Sequence, residues 1–357
     1  MSGGSELESL ELLGRRLAAA LYPEEPAPRR ARVWLPGLGA LAAAAAAAAA
    51  LILAIGSGTS ATPVARALDR AAQAAARSRP APILRAGQFW YTRTMLEMAV
   101  PTTPAESLAL SGAGSQTRGY GGMSFVIGRL GPQPALPRPG VGVERVLSEI
   151  WVGVNGTFRI RLTPLGPPRF ANARDRAQFR ASGEKTAPPP ADVTARGNGY
   201  FPPGTGDLGQ GLFTYRQLLA LPTNPHVLYR RLAAGIRAAQ LRLPEGASVL
   251  AHEGREGFAA QTLFFITALL DSPTPPRLQA ALYRAAALVP GTRYDGKTYD
   301  LSHRAGVGIS VGGIQLIFNP ATGALLGTRH PGLGGETRTA VLATGISDTI
   351  NARPQTP

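Results

Sequence analysis

Histidines and carboxylates are the side chains of this sequence that could transfer protons or bind a metal ion. The 357 residues include four histidines, at His226, His252, His303 and His330. Cysteine is absent, which excludes disulfides, thiolate zinc sites, iron–sulfur clusters and cysteine nucleophiles.

The segment nearest to a metal motif starts at His252. His252 and Glu253 begin like a zincin helix, but the position of the second histidine is taken by Glu256. Gly254 and Gly257 also disfavour a helix there. This pattern predicts an exposed turn rather than a metal site.

Other catalytic signatures are missing as well. The sequence has no Gly-x-Ser-x-Gly elbow, and its glycine-rich stretches lack a Walker lysine. Glu97, Asp295 and Asp300 are carboxylates whose spacing does not require them to meet, so paired acid–base catalysis is unsupported. We therefore predict no catalytic residue, no metal site and no cofactor.

Aromatic residues offer a different kind of site. Antiparallel sheets covered by helices on one face often hold a groove, and Trp90, Trp151, Phe264 and Tyr283 are the candidates to line one for an apolar or envelope ligand. The alternative is that each of these aromatics belongs to the core.

The charge of the chain is strongly basic, at +15 with a sequence pI of about 11.1. Only Lys185 and Lys297 are lysines, and the arginines are scattered with no run longer than two. Clustered lysine and arginine would indicate nucleic-acid binding. The scattered pattern predicts no nucleic-acid partner and favours a basic surface near an anionic bilayer or wall polymer.

Val33 to Ile55 contains no charged residue. As a helix its 23 residues would span about 35 Å, enough to cross a bilayer core of about 30 Å. Arginines precede it at positions 29, 30 and 32, and no charge follows until Arg66. The prediction is a single transmembrane helix with the N-terminus in the cytoplasm and the remainder extracytoplasmic. A signal peptide cleaved near Ser60-Ala61 is the alternative.

The segments around the span are short. Residues 1–32 form a cytoplasmic piece with leucines at helical spacing, which predicts an amphipathic helix that docks on a partner or lies on the membrane. Residues 56–86 contain a juxtamembrane helix from Pro63 to Arg79, capped by Thr62, and a linker.

Residues 87–350 are predicted to form one extracytoplasmic domain. Residues 149–154 and 157–162 alternate around Asn155-Gly156, a favoured two-residue hairpin turn. The alternation places Phe158, Ile160 and Leu162 on one face, with Arg159 and Arg161 pointing outward from the other. Helical patterns follow from 215 to 290, and strands follow from 292 to 346. Glycine and proline are concentrated in 101–145 and 164–211, which we interpret as long flexible loops. The fold class predicted is α+β, an antiparallel sheet of five to seven strands packed with three to four helices.

Six segments carry a resemblance to a known family. They are Ala67–Ala72, Gly87–Thr94, Glu149–Val152 with Asn155-Gly156, Leu221–Pro225, Leu278–Ala285 and Phe318–Gly327. In this order they resemble a family of uncharacterised single-span extracytoplasmic proteins common in GC-rich Gram-positive bacteria. The resemblance implies a membrane-anchored outer domain and carries over no catalytic residue.

Three hypotheses for function follow. The leading one is a non-enzymatic, membrane-anchored domain that binds an envelope ligand or a protein partner. The second is an envelope hydrolase, which would need a nucleophile and a base in one pocket. The third is regulation of an extracytoplasmic-function sigma factor through the helix at residues 5–22, whose leader lacks the zinc motif such regulators carry.

Overall fold

The protein is described by a computed structural model over residues 62–78, 83–101, 141–181, 191–196, 200–201, 213–240, 254–332 and 335–354. The cytoplasmic helix predicted within 1–32, the span Val33–Ile55 and the Ser60-Ala61 site lie outside these residues. Within the part of the chain that is described, no helix has the length and apolar character needed to cross a membrane.

The described helices and strands follow the order predicted for an α+β domain. The helices are α1 (Pro63–Arg77), α2 (Ala173–Ala181), α3 (Tyr215–Leu219), α4 (Pro225–Gln240), α5 (Gly254–Leu270) and α6 (Pro276–Ala286). The strands are β1 (Phe89–Pro101), β2 (Val141–Gly153), β3 (Thr157–Pro164), β4 (Arg169–Phe170), β5 (Ala191–Arg196), β6 (Tyr200–Phe201), β7 (Phe213–Thr214), β8 (Arg293–Tyr299), β9 (Ala305–Val311), β10 (Ile314–Phe318), β11 (Leu325–Gly332) and β12 (Gly335–Ser347).

One large antiparallel sheet organises the domain. Its strand order is β5-β3-β2-β1-β12-β11-β10-β9-β8, with β4 paired to β2, while β6 and β7 form a separate small sheet. The α+β class with an antiparallel sheet is confirmed. The sheet is larger than the five to seven strands predicted, and the six described helices exceed the three to four predicted.

The two predicted loops contain regular structure. β2 begins at Val141, inside the predicted loop 101–145, and the predicted loop 164–211 contains β4, α2, β5 and β6. The helix α2 begins after Asn172, whose Oδ1 accepts a hydrogen bond from the N–H of Asp175 at 2.8 Å. Both loop predictions are therefore wrong in these parts, because capping and pairing with distant strands outweigh the local glycine and proline content.

The helix α5 corrects a second prediction. It begins at Gly254 and includes Gly257, where the sequence favours an exposed turn. A glycine costs least at a helix end, and the rest of α5 buries Leu263, Ile266 and Leu269 completely. Each such side chain contributes about 1.5–3 kcal/mol, which outweighs the two glycines.

The helices cover one face of the sheet, which we call the helix face. Tyr283 of α6 packs against Phe318 of β10 with ring centroids 5.4 Å apart. Phe264 of α5 meets the edge of His330 of β11 at 5.8 Å. The predicted hairpin of β2 and β3 is confirmed, and Phe158 faces this same core. Side chains alternate along each strand, so the remaining positions point to the opposite side, which we call the second face.

The turn between β10 and β11 joins the helices to the sheet. Asn319 Oδ1 accepts from the N–H of Ala321 at 2.9 Å, and Gly323 has a φ of +70°. A Cβ at Gly323 would lie 2.7 Å from the carbonyl oxygen of Ala71 and 2.8 Å from the nitrogen of Ala75, both on α1. The buried hydroxyl of Tyr283 donates to the carbonyl of Gly323 at 2.9 Å. Only glycine fits both this conformation and this contact.

Gly323→Ala is expected to destabilise the protein strongly. The left-handed conformation costs about 1–2 kcal/mol for alanine, and the clash with α1 adds about 1–3 kcal/mol. Thermal and denaturant unfolding measure the loss.

Gly87→Ala is the matched control for this substitution. Gly87 has a φ of +87° and no atom within 4 Å of its Cβ position. Gly87→Ala should therefore lose only the stability that corresponds to the left-handed conformation. Equal losses of unfolding free energy in the two variants would contradict a clash between residue 323 and α1.

Candidate functional site: the arginine-lined face of the sheet

The four aromatics predicted to line a groove do not meet in one place. Trp90 pairs with Val152 on the helix face, whereas Trp151 pairs with Tyr91 on the second face. Phe264 and Tyr283 lie on helices over the helix face. Trp90, Trp151 and Tyr283 are 9%, 1% and 0% exposed. These three side chains pack in the interior of the domain, on two sides of the sheet.

The indole N–H groups of Trp90 and Trp151 each have a backbone partner. Trp90 donates to the carbonyl of Asp271 at 3.0 Å, and Trp151 donates to the carbonyl of Ala352 at 2.7 Å. The two tryptophans therefore fix the ends of two segments, the one after α5 and the C-terminal one.

The described histidines are spread over the fold. His226 is exposed at the start of α4, His303 is exposed in the turn before β9, and His330 is buried against Phe264. His252 lies outside the described residues. Across the residues that the structure describes, no group of three or more His, Asp or Glu side chains is placed to hold a metal ion.

The three carboxylates considered from the sequence have different partners. Glu97 accepts from Arg145 at 2.8 Å, and Asp300 accepts from Arg304 Nε at 2.7 Å. Asp295 accepts from Ser310 and Gln315. Each is engaged in its own part of the sheet, so they do not form an acid–base pair.

Arginine dominates the polar side chains of the second face. Strand register and side-chain contacts place nine arginines there, namely Arg93, Arg145, Arg159, Arg161, Arg169, Arg293, Arg329, Arg338 and Arg353. The same contacts place five acids there, namely Glu97, Glu149, Asp192, Asp295 and Glu336. Nine minus five leaves a surplus of four positive charges among these residues, so this face presents a positive potential.

Trp151 and two arginines of β3 form a stack on this face. The guanidinium carbons of Arg159 and Arg161 lie 5.6 and 5.9 Å from the indole centroid. Asp192 of β5 accepts from Arg159 at 2.6 Å and from Arg161 at 3.2 Å. The prediction that Arg159 and Arg161 point away from Phe158 is confirmed, and their guanidinium groups lie over the indole of Trp151.

A buried carboxylate lies beside this stack, in a group of side chains that we call the Glu149 cluster (Tyr91, Glu149, Trp151 and Arg353). The side chain of Glu149 is 2% exposed. It accepts from the hydroxyl of Tyr91 at 2.6 Å and from Nε and Nη2 of Arg353 at 2.6 and 3.0 Å. Burial alone would raise the pKa of Glu149, but the hydrogen bonds from Arg353 and Tyr91 outweigh it and hold that pKa below its usual value.

The C-terminal segment, residues 347–354, crosses the second face at this cluster. Ser347 Oγ donates to the carbonyls of Thr349 and Ala352, which folds the segment into a turn. Asn351 accepts a hydrogen bond from Arg159, and Arg353 reaches Glu149. The segment thereby covers Tyr91 and Trp151, each 1% exposed.

Asp271 lies on the helix face of the sheet and has an unfavourable environment for a carboxylate. Its Oδ1 is buried with no hydrogen-bond partner. Burial raises the pKa of its carboxyl to about 7. The carboxylate is therefore a cost that the fold bears when Asp271 ionises.

Sequence reasoning missed the second face for one reason. Glu149 and Arg353 are 204 positions apart, and Glu97 and Arg169 are 72 apart. Alternation in β3 identified Arg159 and Arg161 as outward residues. No local signal gives the register that brings the other arginines beside them.

Comparisons with known proteins give no match. No protein-family model, no curated protein and no solved structure is similar to this chain. The resemblance to single-span extracytoplasmic proteins stays a prediction.

Arg353→Gln is expected to lower the free energy of unfolding at pH 7 by roughly 1–3 kcal/mol, because it leaves the buried Glu149 with a single donor. The lowered pKa of Glu149 means that its stabilisation is present above the unfolded pKa and is lost in acid. The gap between wild type and variant should therefore narrow as pH falls below about 4, measured by urea unfolding.

Arg284→Gln is the control for this loss. Arg284 pairs with Asp69, and both side chains are more than two-fifths exposed, at 43% and 48%. Such a pair contributes at most about 1 kcal/mol. A loss as large as that of Arg353→Gln would contradict the special role of the buried carboxylate.

Asp271→Asn is expected to change the pH dependence of stability. The pKa of Asp271 is raised from 3.8 to about 7 in the folded state. The folded protein therefore holds an extra proton between these values and loses stability as pH rises through them. The variant should lack this loss, so its free energy of unfolding relative to that of wild type should rise from pH 5 to pH 8, as measured by denaturant unfolding followed by tryptophan fluorescence. An equal stability difference at the two pH values would refute the assignment.

Proposed function

We propose that the protein is a single-pass membrane protein whose extracytoplasmic α+β domain binds an anionic component of the cell envelope without altering it chemically. Val33–Ile55 anchors it in the lipid bilayer, and the N-terminus is cytoplasmic. The observation that carries the binding role is the surplus of arginine on the second face of the sheet.

The placement of the anchor supports this use of the second face. α1 is the first described element after the predicted span, and it packs against α6 in the helix layer. The chain thus enters the domain on the helix side and leaves the second face on the opposite side of the sheet. Guanidinium groups on this side are free to meet a ligand that lies away from the bilayer.

The described residues favour binding over hydrolysis. The histidines lie apart, and the carboxylates of Glu97, Asp295 and Asp300 each have separate partners. A hydrolase would need a nucleophile beside a base in one pocket. The third hypothesis, sigma-factor regulation, depends on residues 5–22, which lie outside the described part of the chain.

Full-length protein in nanodiscs of neutral phosphatidylcholine is the system for the test. Dextran sulfate serves as a general polyanion and neutral dextran as its control. We expect the polyanion alone to bind. Arg161→Gln combined with Arg169→Gln should weaken this binding roughly fivefold or more at low salt, because charge is removed from the second face.

The matched control removes two charges from the helix layer. Arg66 and Arg70 are exposed on α1, and Arg66→Gln with Arg70→Gln should leave the affinity close to that of wild type. Equal weakening by the two double variants would mean that net charge alone drives binding, and no binding of dextran sulfate would overturn the proposal.

A further inference from the structure

We infer that one end of the second face is a site for phosphate esters, held by three arginines around Glu97. This inference rests on the proposed function and names its ligand class. The group is called the Glu97 cluster and consists of Glu97, Arg145, Arg169 and Arg338. The ligand that we assign to it is a phosphodiester group of a soluble anionic chain in the envelope.

Strand register builds the cluster. Glu97 of β1 lies directly opposite Arg145 of β2 on one side and Arg338 of β12 on the other. Arg169 reaches the same carboxylate from β4, whose neighbour is β2. Adjacent strands lie about 4.8 Å apart, so three guanidinium groups converge on one side chain.

The contacts with Glu97 hold the guanidinium groups in place while engaging few of their N–H donors. Glu97 Oε2 accepts from Arg145 at 2.8 Å and from Arg169 at 2.6 Å, while Arg338 Nη1 lies 4.0 Å from Glu97 Oε1. A guanidinium has five N–H donors, so most donors of Arg145 and Arg169 are left over. The carboxylate therefore orients the arginines and leaves donors for another oxyanion.

The exposures show which side of the cluster meets solvent. The Glu97 side chain is 11% exposed, whereas those of Arg145, Arg169 and Arg338 are 35%, 61% and 40% exposed. The acid thus lies beneath the arginines. An anion that approaches from solvent meets guanidinium groups first.

Neighbouring charges indicate that the cluster is short of anions. Arg338 of β12 lies directly opposite Arg329 of β11. Like charges at directly opposed positions destabilise a sheet. Arg338 has a second acid partner in Glu336. Among the residues that the structure describes, the ion pairs at this end give the four arginines Arg145, Arg169, Arg329 and Arg338 two acids, Glu97 and Glu336. A bound oxyanion would relieve this repulsion.

Phosphate chemistry matches this arrangement well. Planar guanidinium groups bind the oxygens of a phosphate in pairs, as lysine does not. A phosphodiester keeps its negative charge across the physiological pH range, and a linear chain of them can follow Arg145 of β2 and Arg338 of β12, which flank Glu97 of β1. We favour such a chain over the bilayer beneath the domain, because the helix layer lies between the predicted anchor and this face.

The experiment compares two polyanions on full-length protein in phosphatidylcholine nanodiscs. Poly(glycerol phosphate) carries phosphodiesters, whereas dextran sulfate is negatively charged through sulfate groups and contains no phosphate. Arg169→Gln removes one arginine of the cluster, and Arg161→Gln removes one from the far end of the same face. Isothermal titration calorimetry gives the affinities of wild type and of each variant for the two polymers.

We expect Arg169→Gln to weaken poly(glycerol phosphate) binding about tenfold, since it removes charge-assisted hydrogen bonds. Arg161→Gln should change it less than threefold, and the two variants should affect dextran sulfate equally. Glu97→Gln raises the net charge by one, yet it should also weaken poly(glycerol phosphate) binding because the arginines lose their common partner.

Other outcomes separate the two proposals. If both variants weaken both polymers equally, the face binds anions without a phosphate site, and this inference fails while the proposed function survives. If neither polymer binds, the proposed function is wrong, and the phosphate site that rests on it is wrong as well. If phosphatidylglycerol in the discs displaces the polymer from wild type but has no such effect at Arg169→Gln, the cluster serves lipid headgroups, and the soluble chain is the wrong ligand.

Discussion

The close approach of α1 to the turn after β10 is the contact on which the domain's layering depends. Gly323 lies against the backbone of Ala71 and Ala75, and the hydroxyl of Tyr283 bonds to its carbonyl. One glycine thus joins two helices to the sheet. Three of the six segments that carry the family resemblance, from α1, α6 and this turn, meet here. Their residues make a packing motif rather than a reactive site.

The central pairing of β1 with both β2 and β12 has the complementary role on the second face. It sets Glu97 between Arg145 and Arg338 and sets Tyr91 beside Trp151. Both charge clusters therefore depend on the same strand, on which Tyr91 and Glu97 are six positions apart and so separated by about 20 Å. The Glu149 cluster is closed by the C-terminal segment, whereas the Glu97 cluster faces solvent. The Glu149 cluster holds the C-terminal segment against the sheet, and the Glu97 cluster is the more suitable place for a ligand.

The sequence predicted those parts whose signals are local. Asn155-Gly156 fixed the hairpin, and the alternation after 292 gave the last strands. The strands of 141–145 and 191–196 were missed because they gain their stability from pairing with partners elsewhere in the chain. The helix at 173–181 did have a local signal, the Asn172 cap, beneath a composition typical of loops. The Glu97 cluster had none, since register between distant strands decides it.

The position of β12 has a consequence for biogenesis. Among the described strands, β1 pairs with β12, Phe89 opposite Ser347, so the two halves of the sheet cannot join until residues up to 347 have been synthesised. Until then β1 and β11 have unpaired edges that invite association with other chains. Late closure of non-local pairs also makes folding slow. A chain truncated shortly before β12 would lose the strand that joins β1 to β11, and with it the connection between the two halves of the sheet.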